Sequence, residues 1–164
     1  RGHPPRARSP ASRATATQSH FHKRNIPVTR MLETLTREDA GRMLAAAEVE
    51  ATSIGIPYCI AVVDAAAHLI AFVRQDDAQP GCIELAVNKA FSACMFRQPT
   101  EILGSLSQPG AELYGLQQGQ GGRVVIFGGG IPVFRSGRVI GAIGASAGSV
   151  DQDIAVSGAG LAAL

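Results

Sequence analysis

Gly121-Gly122-Arg123-Val124-Val125-Ile126-Phe127-Gly128-Gly129-Gly130-Ile131-Pro132-Val133 places two glycine clusters around a β-prone apolar run. Glycine at that density supplies positive φ and close backbone approach that a Cβ would block. Ser136-Gly137 then gives a turn signal, and Val139-Ile140-Gly141-Ala142-Ile143-Gly144-Ala145-Ser146 follows as a second apolar run. The segment reads as buried strands beside a glycine-shaped pocket or interface.

Working outward from it, the chain alternates helical and strand patterns. Thr36-Arg37-Glu38-Asp39 has the form of a helix start, with a capping hydroxyl and two acids in the positive first turn. Ala40, Met43, Leu44 and Ala47 continue it at helical spacing until Gly55 and Pro57. Strands are predicted over 58–63 and 68–74, joined by the Asp64-Ala65-Ala66-Ala67 turn. Helices are predicted over 81–96 and 99–106, then a long loop over 107–122. Strands follow over 124–127, 131–135 and 139–146, and a capped helix of small residues closes the chain from Val150. The order α-β-β-α-α-β-β-β-α predicts an α+β domain with an antiparallel five-stranded sheet and flanking helices over 31–164.

The 164 residues are 46% hydrophobic and 17% charged, enough apolar content for one domain with a core. Charge is divided unevenly. Residues 1–30 carry seven of the 15 Lys and Arg and no acid, whereas 31–164 carry eight against all 13 acids. The basic pI of 8.6 therefore belongs to the first segment, and the body, near −5, does not predict a nucleic-acid partner. Residues 1–30, rich in Arg, Pro, Ser and Thr, lack the apolar surface to offset chain entropy and are predicted to be disordered. They read as a non-native extension ahead of a start at Met31, or as a targeting segment, although Pro4, Pro5, Pro10 and Pro27 suit an amphipathic transit helix badly. Cys59, Cys82 and Cys94 are odd in number and lack Cys-x-x-Cys spacing, which predicts reduced, packed thiols and a cytoplasmic protein. No apolar run reaches the roughly 20 residues that span a bilayer.

Candidate chemistry is sparse. His68, the single histidine after residue 30, begins a strand beside a tight turn, where an imidazole ligates iron, transfers protons or caps the turn. Lys89 stands on an otherwise apolar helix, suited to an anion, to base chemistry if desolvated, or to snorkelling into solvent. Asp64 can serve as an acid-base group or cap its own turn. Arg123, where the loop meets the glycine-bounded run, is placed for an anionic ligand or is equally a strand-edge charge; Tyr114 in the loop offers a phenol to iron or substrate, or anchors the loop. Gly128, Gly129 and Gly130 offer backbone amides, with Pro132 beside them. Phosphate-loop and dinucleotide signatures are absent.

One ordered set of motifs adds a resemblance: Leu35-Thr36 with Asp39-Ala40, Ile60-Ala61-Val62-Val63-Asp64 with His68-Leu69, Lys89-Ala90, Pro109-Gly110 with Leu113-Tyr114-Gly115-Leu116, Gly121-Gly122-Arg123, Ile126-Phe127-Gly128-Gly129-Gly130-Ile131-Pro132, and Gly141-Ala142-Ile143-Gly144. Together they resemble the GlcG/HbpS-like family and the C-terminal domain of PduO-type corrinoid adenosyltransferases. The resemblance implies a profilin-like fold and homo-oligomers, from dimers up to an octamer. It implies haem or tetrapyrrole binding in some members, and genes beside catabolic enzymes in others. It makes His68 or Tyr114 the candidate iron ligand, with Lys89 or Arg123 pairing with propionates against the glycine-rich segment. The alternatives are an isomerase, lyase or hydrolase acting on an organic acid through His68, Asp64 and Lys89, or an accessory subunit of a catabolic enzyme. Members of this family carry Gly-Gly where this chain has Ala66-Ala67, which implies a reshaped turn ahead of His68.

Overall fold

The computed structural model describes Gly2 and residues 31–164; the basic segment expected to be disordered otherwise lies outside the described residues. Helix α1 (Arg37–Ile54) starts on a reciprocal capping box. Thr36 Oγ1 accepts from Asp39 N at 3.1 Å, and Asp39 Oδ2 accepts from Thr36 N at 2.9 Å. The helix ends where Gly55 turns left-handed, and its buried stripe is Ala40, Met43, Ala47 and Ala51. Strands β1 (Cys59–Asp64) and β2 (Leu69–Arg74) form the first hairpin. Helices α2 (Cys82–Phe96) and α3 (Thr100–Leu106) follow. The expected long loop holds a 3₁₀ turn at Leu116–Gln118 and one distorted helical turn, α4 (Gly119–Gly122). Strands β3 (Gly130–Arg135) and β4 (Arg138–Ser146) pair across Ser136-Gly137, both left-handed as a tight hairpin turn requires. Helix α5 (Val150–Leu161) begins on a second capping box, Ser149 with Gln152.

The sheet is antiparallel in the order β2-β1-β4-β3. Helices α1 and α5 cover one face, over Met43, Ile60, Val62, Ile140, Ile143 and Val156; α2 covers the other, over Ala61, Val63, Ala86, Ala90 and Ala142. With both faces covered, β1 is buried along almost its whole length, which is why its sequence does not alternate. Gly144 lets α2 lie directly on β4: a Cβ there would stand 2.5 Å from Ala90 N.

The α+β class holds, but the described residues contain four strands, not five. Residues 124–127 have strand composition and no strand partner. They lie against helices instead: Val125 N–H donates to Ser92 Oγ on α2 at 2.9 Å, and the Ile126 carbonyl packs against Gly104 of α3. Burial of Val124 and Val125 against helices explains an apolar run that periodicity alone assigns to a sheet. The three cysteines are buried and free, as expected.

Candidate functional site

The predicted site residues separate into two groups along α2. The first is buried. Lys89, expected to meet a ligand or to snorkel outward, has no exposed surface. Its Nζ forms an ion pair with Asp153 Oδ2 of α5 and donates to the Ala145 carbonyl at 3.0 Å. Asp153 Oδ1 meanwhile accepts from Ala147 N and Gly148 N, each at 3.1 Å, closing the turn between β4 and α5. Burial holds the Lys89 ammonium below the ordinary lysine range, with Asp153 opposing the shift. The Phe127 ring, its centroid 4.8 Å from Nζ, lies over the ammonium. Tyr58 brings a buried hydroxyl towards the same carboxylate; desolvation first, and then the Asp153 charge, push its pKa up.

The glycine segment is fitted around this pair. Gly129, at φ 110°, passes so close that a Cβ would stand 2.7 Å from Asp153 Cβ and 2.8 Å from Lys89 Nζ. Ser157 Oγ donates to the Gly129 carbonyl at 2.6 Å, and the Gly130 amide donates to Thr100 Oγ1 at 2.9 Å. Gly128 packs under Val150 and Ile154. Gly128, Gly129 and Gly130 are thus themselves buried against the protein's own side chains. Pro132 lies on β3 opposite Ala142.

The second group is exposed. Asp64 closes the β1–β2 turn: its Oδ1 accepts from both Ala66 N and His68 N at 2.8 Å. Ala67 takes the left-handed conformation at φ 62°, which glycine adopts without penalty. The His68 side chain is 81% exposed, with Nδ1 3.6 Å from Asp64 Oδ2, so one imidazole nitrogen faces a carboxylate and the other is open. The Cys94 thiol donates to the Asp64 carbonyl at 3.3 Å, tying this turn to α2.

Arg123 meets the same helix one turn earlier. Its guanidinium stacks on the Phe91 ring at 3.9 Å, and Nε donates to Asn88 Oδ1 at 3.2 Å. Residues 91 and 94 lie on one side of α2, so Arg123 and the Asp64–His68 turn flank the same stretch of helix. Tyr114 is 68% exposed on the loop.

Asp153, Thr100, Asn88 and Phe91 escaped the sequence reading. The available signal was Asp153 itself, one of two acids in the first turn of an otherwise small and apolar helix, matching the single lysine of α2. Among the described residues no group of three or more His, Cys, Asp and Glu is placed to hold a metal ion, and no helix is long and apolar enough to cross a membrane.

This architecture is shared. A 15.0 kDa protein encoded in the dhaT-dhaS intergenic region of Citrobacter freundii is 42% identical over 125 residues, covering 76% of this chain and 88% of that protein. The corrinoid adenosyltransferase PduO of Salmonella typhimurium is 36% identical over 149 residues, 91% of this chain but 43% of the enzyme. The crystal structure of a PduOC:heme complex superposes with a TM-score of 0.77 at 37% identity, over 80% of this chain and 95% of that one. The family described as haem degrading protein HbpS-like matches residues 35–162, from the capping segment of α1 to the end of α5. The chain belongs to the HbpS-like family.

Proposed function

We propose that this chain binds haem at the Asp64–His68 turn, where His68 would ligate the iron and Arg123 would pair with a propionate. The observation that carries the reading is the imidazole. One nitrogen faces the Asp64 carboxylate and the other is open to solvent, the arrangement in which a carboxylate fixes the orientation of a metal-bound histidine. The PduOC relative in complex with heme supports the choice of ligand class. Arg123, stacked and held at Nε, keeps its two terminal nitrogens free of any partner among the described residues, which suits a carboxylate. Tyr114, the other candidate ligand, is 68% exposed on the loop. When bound, haem would supply a redox-active iron; the chain's residues hold and orient it. Three buried, free thiols support a reducing, cytoplasmic setting, and a haem seated on so exposed a turn would be covered by assembly into a homo-oligomer.

A haem titration of the full chain followed in the Soret region tests this. His68→Ala is expected to weaken binding at least tenfold and shift the band, while Tyr114→Phe leaves both unchanged. A His68→Ala variant that binds like the parent overturns the assignment.

The Asp64–His68 contact also favours a second reading, an organic-acid isomerase, lyase or hydrolase. His68 would transfer the proton and Arg123 would hold the carboxylate. Lys89, enclosed with Asp153, drops out of that role. Turnover of a small hydroxy or keto acid abolished by both His68→Ala and Arg123→Met, without haem, would establish it.

A further inference from the structure

Every amide from Asp64 to His68 has an acceptor, and one of those acceptors comes from outside the hairpin. Asp64 N donates to the His68 carbonyl at 2.9 Å and Ala67 N to the Asp64 carbonyl at 3.0 Å, while Asp64 Oδ1 takes Ala66 N and His68 N. These bonds close the turn on itself. The remaining amide, Ala65 N, donates to Thr34 Oγ1 at 2.9 Å, 31 residues earlier in the segment ahead of α1.

The other side of that hydroxyl is held by the sheet. Ile140 of β4 has no ladder partner among the described residues: pairing with β1 ends at Gly141 and Asp64, and pairing with β3 steps from Gly141 and Val133 to Val139 and Phe134. The Ile140 carbonyl accepts instead from Leu35 N at 2.8 Å and from Thr34 Oγ1 at 3.4 Å. Leu35 is anchored in the core beneath α1, against Gly141, where a Cβ would collide with it. Thr34 thus donates its one hydroxyl proton to β4 and accepts the turn amide, a relay that needs a hydroxyl.

A turn closed on itself keeps its shape but takes its tilt from contacts outside the hairpin. The β1–β2 pairing shifts between Val62 and Val63, so the tip stands beyond an irregular step in the ladder. Two side chains reach it from elsewhere: Thr34, and Cys94 of α2, whose thiol is the weaker donor.

We propose that Thr34 is a positioning residue for His68: it fixes the tilt of the 64–68 turn against β4, and with it the place where the open imidazole nitrogen meets its ligand. The proposal rests on the haem reading of that turn and extends it from the imidazole to the group that aims it.

Thr34→Val removes the hydroxyl and keeps the branched shape, and Thr34→Ser keeps the hydroxyl; Thr34 is exposed, so neither empties the core. In the haem-free full chain, Thr34→Val is expected to speed exchange of the Ala65 amide about tenfold. Residual dipolar couplings of amides 65–68, referred to the frame of the sheet, should change with it and return to parental values in Thr34→Ser. With haem, dissociation followed in the Soret region should quicken about fivefold in Thr34→Val and be restored in Thr34→Ser. On a His68→Ala background the Thr34→Val effect on haem should vanish, which a general loss of stability would not produce. Dissociation from Thr34→Val at the parental rate, failure of serine to restore it, or an equal effect with and without His68 overturns the proposal. If His68→Ala binds haem like the parent, the haem reading falls by itself. The couplings of the haem-free chain then decide, and couplings unchanged by Thr34→Val overturn the positioning role.

Discussion

Lys89–Asp153 and His68–Asp64 are both pairings of a basic side chain with a carboxylate, both tied to α2, and they have opposite fates. The first is enclosed, its carboxylate saturated by two amides and an ammonium and its neighbours cut back to glycine. The second stands at a hairpin tip with an imidazole nitrogen unused. A buried charge cannot trade its partner for a ligand without leaving an uncompensated ion behind, so the first pair fixes structure. The second keeps an imidazole nitrogen open, and the proposed site rests on it.

The comparison is broken most severely by removing half of the buried pair. Asp153→Ala strands the Lys89 ammonium and two turn amides, and is expected to cost about 3–5 kcal/mol in chemical denaturation. Replacing both partners by apolar side chains, Lys89→Met with Asp153→Leu, should recover most of that loss. If the double variant is as unstable as Asp153→Ala, the pair contributes something beyond charge compensation.

Gly129→Ala attacks the same cluster from the backbone. A Cβ at φ 110° meets Asp153 and Lys89 at 2.7 and 2.8 Å, so strain and overpacking should together cost about 2–4 kcal/mol. The measured midpoint should fall with an unchanged denaturant slope.

How far the sequence could anticipate this division differs from element to element. The capping boxes at Thr36 and Ser149, the Ser136-Gly137 turn and the apolar runs of β1 and β4 are local signals, and each element formed where local chemistry called for it. Val124–Phe127 failed because apolar composition reports burial, not the partner that causes it; Ser92 and Gly104 sit on helices more than twenty residues away in sequence. Lys89 failed for a related reason. An isolated lysine in an apolar helix looks solvent-seeking until its carboxylate is known, and Asp153 is 64 residues distant. His68 and Asp64, four residues apart, were legible because the turn that joins them is written between them.

Alkaline pH separates the buried groups further. Burial pushes the Cys59 and Cys94 thiols up, and Tyr58 with them. The native state therefore holds protons that the unfolded chain releases, and stability present below about pH 9 is lost as pH rises. Lys89, shifted down, pulls the other way, and the expected outcome is that the thiols and the phenol outweigh it, a net decline between about pH 9 and 11. Denaturation at several pH values should show it, with a shallower slope for Cys59→Ala. A stability that rises across this range would mean Lys89 dominates.

Ala67→Gly sharpens the exposed side of the comparison. Ala67 occupies the left-handed region at φ 62° ahead of His68, so glycine relieves local strain there while adding unfolded-state entropy. The expected balance is a gain of up to about 1 kcal/mol. A loss would show that the Ala67 methyl, buried against the α2 side of the core, outweighs its own strain.

The smallest effect on stability is also the most informative. The His68 side chain is 81% exposed, its Nδ1 approaches Asp64 at 3.6 Å, and the turn amides are held by Asp64 rather than by the ring. His68→Ala should therefore change unfolding free energy by less than about 0.5 kcal/mol, in the same preparation in which haem affinity falls. A residue that adds nothing to the fold yet stands pre-oriented by a carboxylate has its explanation outside the fold. If the variant instead proves markedly unstable, the imidazole belongs to the turn, and the distinction between the two pairs collapses.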